Sequence, residues 1–199
     1  MAAVCVYCAS STSIGPSFVE LARQAGVELA RRGHTLVSGG GRVSMMGAVA
    51  AAARAGGART IGVIPEALSS REIADFDSDE LILTTGMRER KAAMDARADA
   101  FLGLPGGIGT LEEVFEVWTS RSLGMHAKPV VVLNADGFYD GLLNWLHELA
   151  GSSFVRPEAL ALLIVVETVP AAFDAIDEGL RHTARIEAGP SAPVRVQPE

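Results

Sequence analysis

The sequence predicts an α/β fold, a three-layer sandwich in which a parallel sheet is covered by helices on both faces. Three observations lead there. The strand candidates are continuous apolar runs, such as Val130-Val131-Val132-Leu133, and not alternating ones, the pattern of strands buried on both faces. They alternate along the chain with segments of helical periodicity. Two glycine turns, residues 39–41 and 106–109, each follow a strand and precede a helix. That places both at the carboxyl edge of the sheet, where open α/β sheets bind ligands.

The elements follow in order. Residues 4–10 read as a first buried strand, closed by the polar turn Ser11-Thr12-Ser13-Ile14-Gly15. Pro16 suits a helix start, and Phe18, Leu21, Ala22, Ala25 and Leu29 recur at helical spacing up to Gly33. Thr35-Leu36-Val37-Ser38 is a second strand leading into Gly39-Gly40-Gly41, and an alanine-rich helix over 44–55 is closed by Gly56-Gly57. Residues 60–64 form a third strand that Pro65 breaks, and a polar loop leads to a short strand at 81–84. Residues 87–97 are helical, and 98–104 form the central strand before the second glycine turn. A helix over 111–122, a strand over 130–133 and a helix over 139–149 come next, then a strand over 163–166 and a helix over 170–180. No internal linker or repeat divides the chain, so residues 1–183 are expected to be one domain. The Pro-rich residues 184–199 are expected to be a disordered tail.

Bulk properties narrow the function. The 199 residues suffice to bury roughly two-thirds of the unfolded surface in one domain. A hydrophobic content of 49% fits a well-buried globule, and a net charge of −7 argues against a nucleic-acid surface. The first residues do not resemble a signal peptide, and the longest uncharged helical stretch, 43–53, is too short to span a bilayer. The expectation is a soluble cytoplasmic protein without membrane or nucleic-acid partners. Cys5 and Cys8 form a CxxC inside a strand, where positions i and i+3 face opposite sides, so they read as buried structural thiols. The four histidines are isolated, no metal-ligand spacing occurs, and there is no nucleophile elbow. Neither a metal nor a cofactor is called for, and Asp75-Phe76-Asp77-Ser78-Asp79 reads as a solvated acidic loop.

The chemistry concentrates in Leu104-Pro105-Gly106-Gly107-Ile108-Gly109-Thr110-Leu111-Glu112-Glu113. A glycine turn entering a helix offers unpaired N–H groups at the positive end of the helix dipole, a natural phosphate cradle. Glu113 is out of place there, because a carboxylate beside a phosphate repels it unless it has a task or a cationic partner. Met87-Arg88-Glu89-Arg90-Lys91 supplies the cations. By helical spacing Arg90 lies one turn from Met94, which sets part of the patch beside the core. The first turn, with Gly40 and Gly41, matches neither a Walker A loop nor a dinucleotide fingerprint, and taken alone is a tight turn as readily as a second cradle.

Pro105-Gly106-Gly107-Ile108-Gly109-Thr110-Leu111-Glu112-Glu113 matches PGGxGTxxE, and in this the chain resembles the LONELY GUY (LOG) family, cytokinin riboside 5′-monophosphate phosphoribohydrolases formerly described as lysine decarboxylases. The resemblance covers residues 3–180 and takes in Met87–Met94 and the segment Leu123-Gly124-Met125-His126-Ala127-Lys128-Pro129. It implies a Rossmann-like fold, commonly a homodimer with the site close to the subunit interface. It also implies hydrolysis of the N-glycosidic bond of N6-substituted adenosine 5′-monophosphates, or of AMP itself. The site residues it implies are catalytic Arg90 and Glu113, with Met87, Lys91, Gly107, Ile108, Gly109, Thr110, Gly40 and Gly41 binding the nucleotide. Arg88, Ser44, Met45 and Ala9 depart from the family pattern. Met45, Met46 and Met94 either line a pocket for the N6 substituent or belong to the core. The alternative is a carrier of the same fold that binds a nucleotide or cofactor without hydrolysing it. A pyridoxal enzyme would need a supporting lysine site that the sequence does not show.

Overall fold

The computed structural model describes residues 1–69 and 74–187. Strands β1 (Ala3–Tyr7), β2 (Thr35–Ser38), β3 (Thr60–Pro65), β4 (Glu80–Thr84), β5 (Ala100–Gly103), β6 (Val130–Leu133) and β7 (Leu163–Val166) form one sheet. Every pairing is parallel, in the order β4-β3-β2-β1-β5-β6-β7. Between them run α1 (Pro16–Arg31), α2 (Ser44–Ala55), the short α3 (Glu66–Leu68), α4 (Met87–Arg97), α5 (Ile108–Ser122), α6 (Asp140–Gly151), the short α7 (Pro157–Leu160) and α8 (Val169–Glu187).

The apolar runs are explained by the layers. Val4, Val6, Leu36, Leu102 and Val131 point to one face, where Ala25 and Leu29 of α1, Val49 of α2 and Phe173 of α8 cover them. Cys5, Tyr7, Val37, Phe101 and Val132 point to the other, against Met94 of α4, Val114 and Trp118 of α5 and Leu146 of α6. Cys5 and Cys8 fall in opposite layers as free buried thiols, and burial pushes both thiols up in pKa. Arg32 ties α1 to α8 through Asp174 at 2.7 Å and Asp177 at 2.8 Å.

Several boundaries differ from the sequence reading. β1 ends at Tyr7, because the chain leaves the sheet at Cys8 to form the loop before α1. β1, not β5, occupies the middle of the sheet. α5 begins at Ile108, three residues early, so the last part of the glycine motif is already helix. α8 runs on to Glu187, into the stretch read as tail, whose remainder at 188–199 lies outside the described residues. Among the described residues no helix is long and apolar enough to cross a membrane.

The order of the strands sets the position of the site. The chain winds outward from β1 through β2 and β3 to β4, then returns to place β5 on the other side of β1. The crevice therefore opens above β1 and β5, between the turns that leave β2 and β5.

Candidate active site

Both glycine turns open into one cavity of about 620 Å³. Its wall includes Gly39 and Gly41 from the first turn and Gly107, Ile108, Gly109 and Thr110 from the second. Cys8 to Thr12 of the β1–α1 loop, Val43, Met46, Ile64, Leu68, Met87, Arg90, Glu112 and Glu113 complete it. A groove of about 690 Å³ between α1 and α2 is largely apolar, and its charged residues Glu20 and Arg23 pair with each other at 2.5 Å. It offers no convergent polar groups, whereas the cavity at the glycine turns has them.

Arg90 and Glu113 meet at its floor. Helix α4 turns Arg90 inward, where its Nε donates to the Val63 carbonyl at 3.0 Å and its Nη1 to Glu113 Oε1 at 2.6 Å. Gly39 makes this possible, since a Cβ there would overlap Arg90 Nη2. Burial raises the pKa of the Glu113 carboxyl above its ordinary range, and Arg90 draws it part of the way back. The bond to Arg90 uses Oε1, while the carboxylate forms part of the cavity wall.

The open N-terminus of α5 stands one to two turns before Glu113 on the same helix. Gly107 caps α5 without a side-chain cap, so the N–H groups of Ile108, Gly109 and Thr110 have no partner within the helix and face outward at its positive end. A Cβ on Gly107 or Gly109 would meet nothing within 4 Å, so no packing demand of the protein fixes glycine there. Open space at these two positions leaves room for a ligand to approach the backbone. Tyr139 steadies the turn from below, its hydroxyl donating to the Leu104 carbonyl at 2.8 Å.

Most of the residues expected from the sequence are gathered here: Arg90, Glu113, Met87, Gly107, Ile108, Gly109, Thr110 and Gly41. Gly40 sits behind the wall in a left-handed conformation (φ +70°), accepting from the Asp75 N–H at 2.8 Å. Lys91 stands outside the cavity wall and pairs with Glu112, which lines it, and at 2.7 Å with Glu116 of α5. Met45 and Met94 are core, whereas Met46 reaches the cavity. Asp75 is a correction: it is buried and not solvated, because Arg54 of α2 grips its carboxylate at 2.7 and 3.2 Å. Leu68 and the hydroxyl-rich loop Ser10-Ser11-Thr12 were not foreseen, and Gly39, though part of the turn expected at the crevice, was not singled out as a site residue. The first glycine after β2 was a signal for Gly39, while the loop carries no motif of its own.

Comparisons with known proteins identify the family of the chain. A family profile described as "Possible lysine decarboxylase" matches residues 46–176. A Mycobacterium marinum protein named cytokinin riboside 5′-monophosphate phosphoribohydrolase is 52% identical over 176 residues, 88% of this chain and 94% of the relative. The chain belongs to the LOG family. The Mycobacterium tuberculosis LOG protein of the same name is 52% identical over 83% of this chain and 88% of its own. Arabidopsis thaliana LOG7 is 45% identical over 81% and 74%. Among solved structures, the molybdenum cofactor carrier protein of Chlamydomonas reinhardtii aligns with a TM-score of 0.69 over 91% of this chain and 98% of that one. The molybdenum cofactor binding protein of Rippkaea orientalis aligns at 0.68 over 89% and 96%. Both are 21% identical, so they show that this LOG chain shares their Rossmann-like fold.

Proposed function

We propose that the chain hydrolyses the N-glycosidic bond of cytokinin riboside 5′-monophosphates, releasing the free base and ribose 5-phosphate, and that it accepts AMP as well. The buried Arg90–Glu113 pair facing an open helix N-terminus carries this reading. The 5′-phosphate docks on the N–H groups at residues 107–110, which places the ribose toward Glu113. Cleavage passes through a sugar that is electron-poor at C1′, and the Glu113 carboxylate stabilises that charge. The same carboxylate takes a proton from the attacking water. The C1′–N9 bond breaks as the water oxygen bonds to C1′, and the proton that Glu113 took from the water passes to the departing base, which regenerates the carboxylate. Arg90 aims Glu113 and neutralises its charge between turnovers.

The residues tell against the decarboxylase name. A pyridoxal enzyme needs a Schiff-base lysine, and the chain has two lysines, Lys91 and Lys128. Lys91 is held by Glu112 and Glu116, Lys128 by Asp95 at 2.8 Å, and neither lines the cavity. Among the described residues no group of three or more His, Cys, Asp or Glu stands where it could hold a metal.

The proposal includes a homodimer with the site near the subunit interface, supported by the exposed Ile108 and Met87 at the cavity rim. A reducing cytoplasmic setting is supported by the free Cys5 and Cys8 thiols, and residues 1–183 are taken as one domain. The decisive experiment incubates the protein with N6-isopentenyladenosine 5′-monophosphate and measures free base and ribose 5-phosphate. Stoichiometric release that disappears in Glu113→Gln is expected. Tight nucleotide binding without release would establish a carrier instead.

A further inference from the structure

The loop between β1 and α1 is exposed and rich in hydroxyls, yet Ser10, Ser11 and Thr12 form part of the cavity wall. A wall made of such a segment needs to be held. On one side the Ala9 N–H donates to the Pro105 carbonyl at 3.3 Å, which ties the loop to the second glycine turn. On the other side the Ser44 hydroxyl donates to the Ser11 carbonyl at 2.6 Å, which ties it to the start of α2, directly after the first. The loop thus spans the gap between the two turns, as the position of β1 between β2 and β5 requires.

Ser44 makes its bond from an unfavourable backbone. It is the first residue of α2 and has φ +51°, a left-handed conformation that glycine adopts freely and other residues adopt at a cost. Backbone geometry alone would favour glycine. The hydroxyl is what serine adds at this position, and its hydrogen bond is directed at the cavity loop.

We propose that Ser44 is a positioning residue that clips the Ser10-Ser11-Thr12 loop to the first glycine turn and thereby presets the cavity for its ligand. It acts through the loop and stands outside the cavity wall itself. The inference rests on reading the cavity as the nucleotide site. An unclipped loop must be ordered on each binding event, so the loss falls on affinity and not on the chemical step.

Two substitutions separate this role from a structural one. Ser44→Gly removes the hydroxyl and relieves the backbone, whereas Ser44→Ala removes the hydroxyl and keeps the strain. Thermal stability should therefore be higher in Ser44→Gly than in Ser44→Ala. Both variants should nevertheless raise KM for AMP or its N6-isopentenyl derivative by ~3–10-fold with kcat changed less than ~2-fold, the expected mark of lost preorganisation. Hydrogen exchange at the amides of residues 10–12, measured without ligand, should quicken in both. A KM that tracks thermal stability, or unchanged exchange in the loop, would overturn the proposal. Exchange is read independently of turnover: a wild-type protein that releases no base refutes the hydrolase reading, and the exchange result still decides the clip.

Discussion

Arg90 Nη1 and Glu113 Oε1 stand 2.6 Å apart, each side chain 10% exposed, joining α4 to α5 beneath the cavity. Two charges taken this far out of water recover their desolvation cost only with good geometry. The arrangement follows from function more readily than from stability: apolar side chains of similar volume would fill the space at no electrostatic cost.

That contrast is measurable. Arg90→Ala leaves an unpaired buried carboxylate and should cost on the order of 3–5 kcal/mol in urea unfolding. The double replacement Arg90→Met with Glu113→Leu removes both charges and should restore stability to within about 1 kcal/mol of the parent, or exceed it. Base release should be abolished in both. A double variant as unstable as Arg90→Ala would mean that the pair is needed to hold the fold.

The pH dependence follows from the Glu113 carboxyl, whose pKa burial raises above its ordinary 4.5 against the pull of Arg90. Stabilising a cationic sugar requires the ionised form. The acid limb of the kcat/KM profile should accordingly fall away with an apparent pKa above 4.5, and a limb at or below that value would contradict the role. The effect on stability has the opposite sense. With the folded pKa raised, the stabilisation associated with protonated Glu113 is complete below about 4.5 and is lost as pH rises through the folded value.

Gly109 offers a test in which stability and binding part company. It lies in the first turn of α5 with nothing near its missing Cβ. Alanine is favoured over glycine in a helix by up to about 1 kcal/mol, so Gly109→Ala should unfold at the same or a higher temperature. Its methyl group would meanwhile occupy the approach to the N–H groups. KM for the 5′-monophosphate should rise by roughly 10-fold or more, about the 1.4 kcal/mol of one hindered phosphate contact. Equal KM values would place the phosphate elsewhere.

The pattern of agreement between sequence and fold has physical causes. β2, β6, β7, α2 and α4 have the bounds the sequence suggests, because continuous apolar runs and helical periodicity are local signals. The start of α5 was missed because Gly107 and Gly109 read as turn, although glycine near a helix N-terminus is compatible with the helix continuing through it. Arg90 and Glu113 were legible as an acid needing a cation, and their 2.6 Å meeting required only that α4 and α5 pack on the same face. Lys91 shared the same motif, yet it is captured by Glu112 beside the expected acid and by Glu116 one turn on, and the sequence does not say which glutamate each cation meets. The Ser11–Ser44 contact joins a loop to the start of α2, far apart in sequence, for which no local pattern exists.

Asp75 shows the same dependence on distant partners and leads to an asymmetric prediction. Its N–H supports the Gly40 carbonyl at 2.8 Å, and its carboxylate, 4% exposed, is gripped by Arg54, which is 23% exposed. Removing either partner breaks the same pair, but the residue left behind differs. After Asp75→Ala, Arg54 already borders solvent on a long side chain and can rehydrate. After Arg54→Ala, the Asp75 charge remains buried behind the first glycine turn without its cation. Arg54→Ala should therefore be the costlier substitution, about 3 kcal/mol or more against roughly 1–2 kcal/mol for Asp75→Ala in chemical denaturation. The reverse order would show that Asp75 stabilises the turn chiefly through contacts other than Arg54. Both variants should also raise KM, because Gly40 and the cavity residue Gly41 lie on the turn that this pair supports.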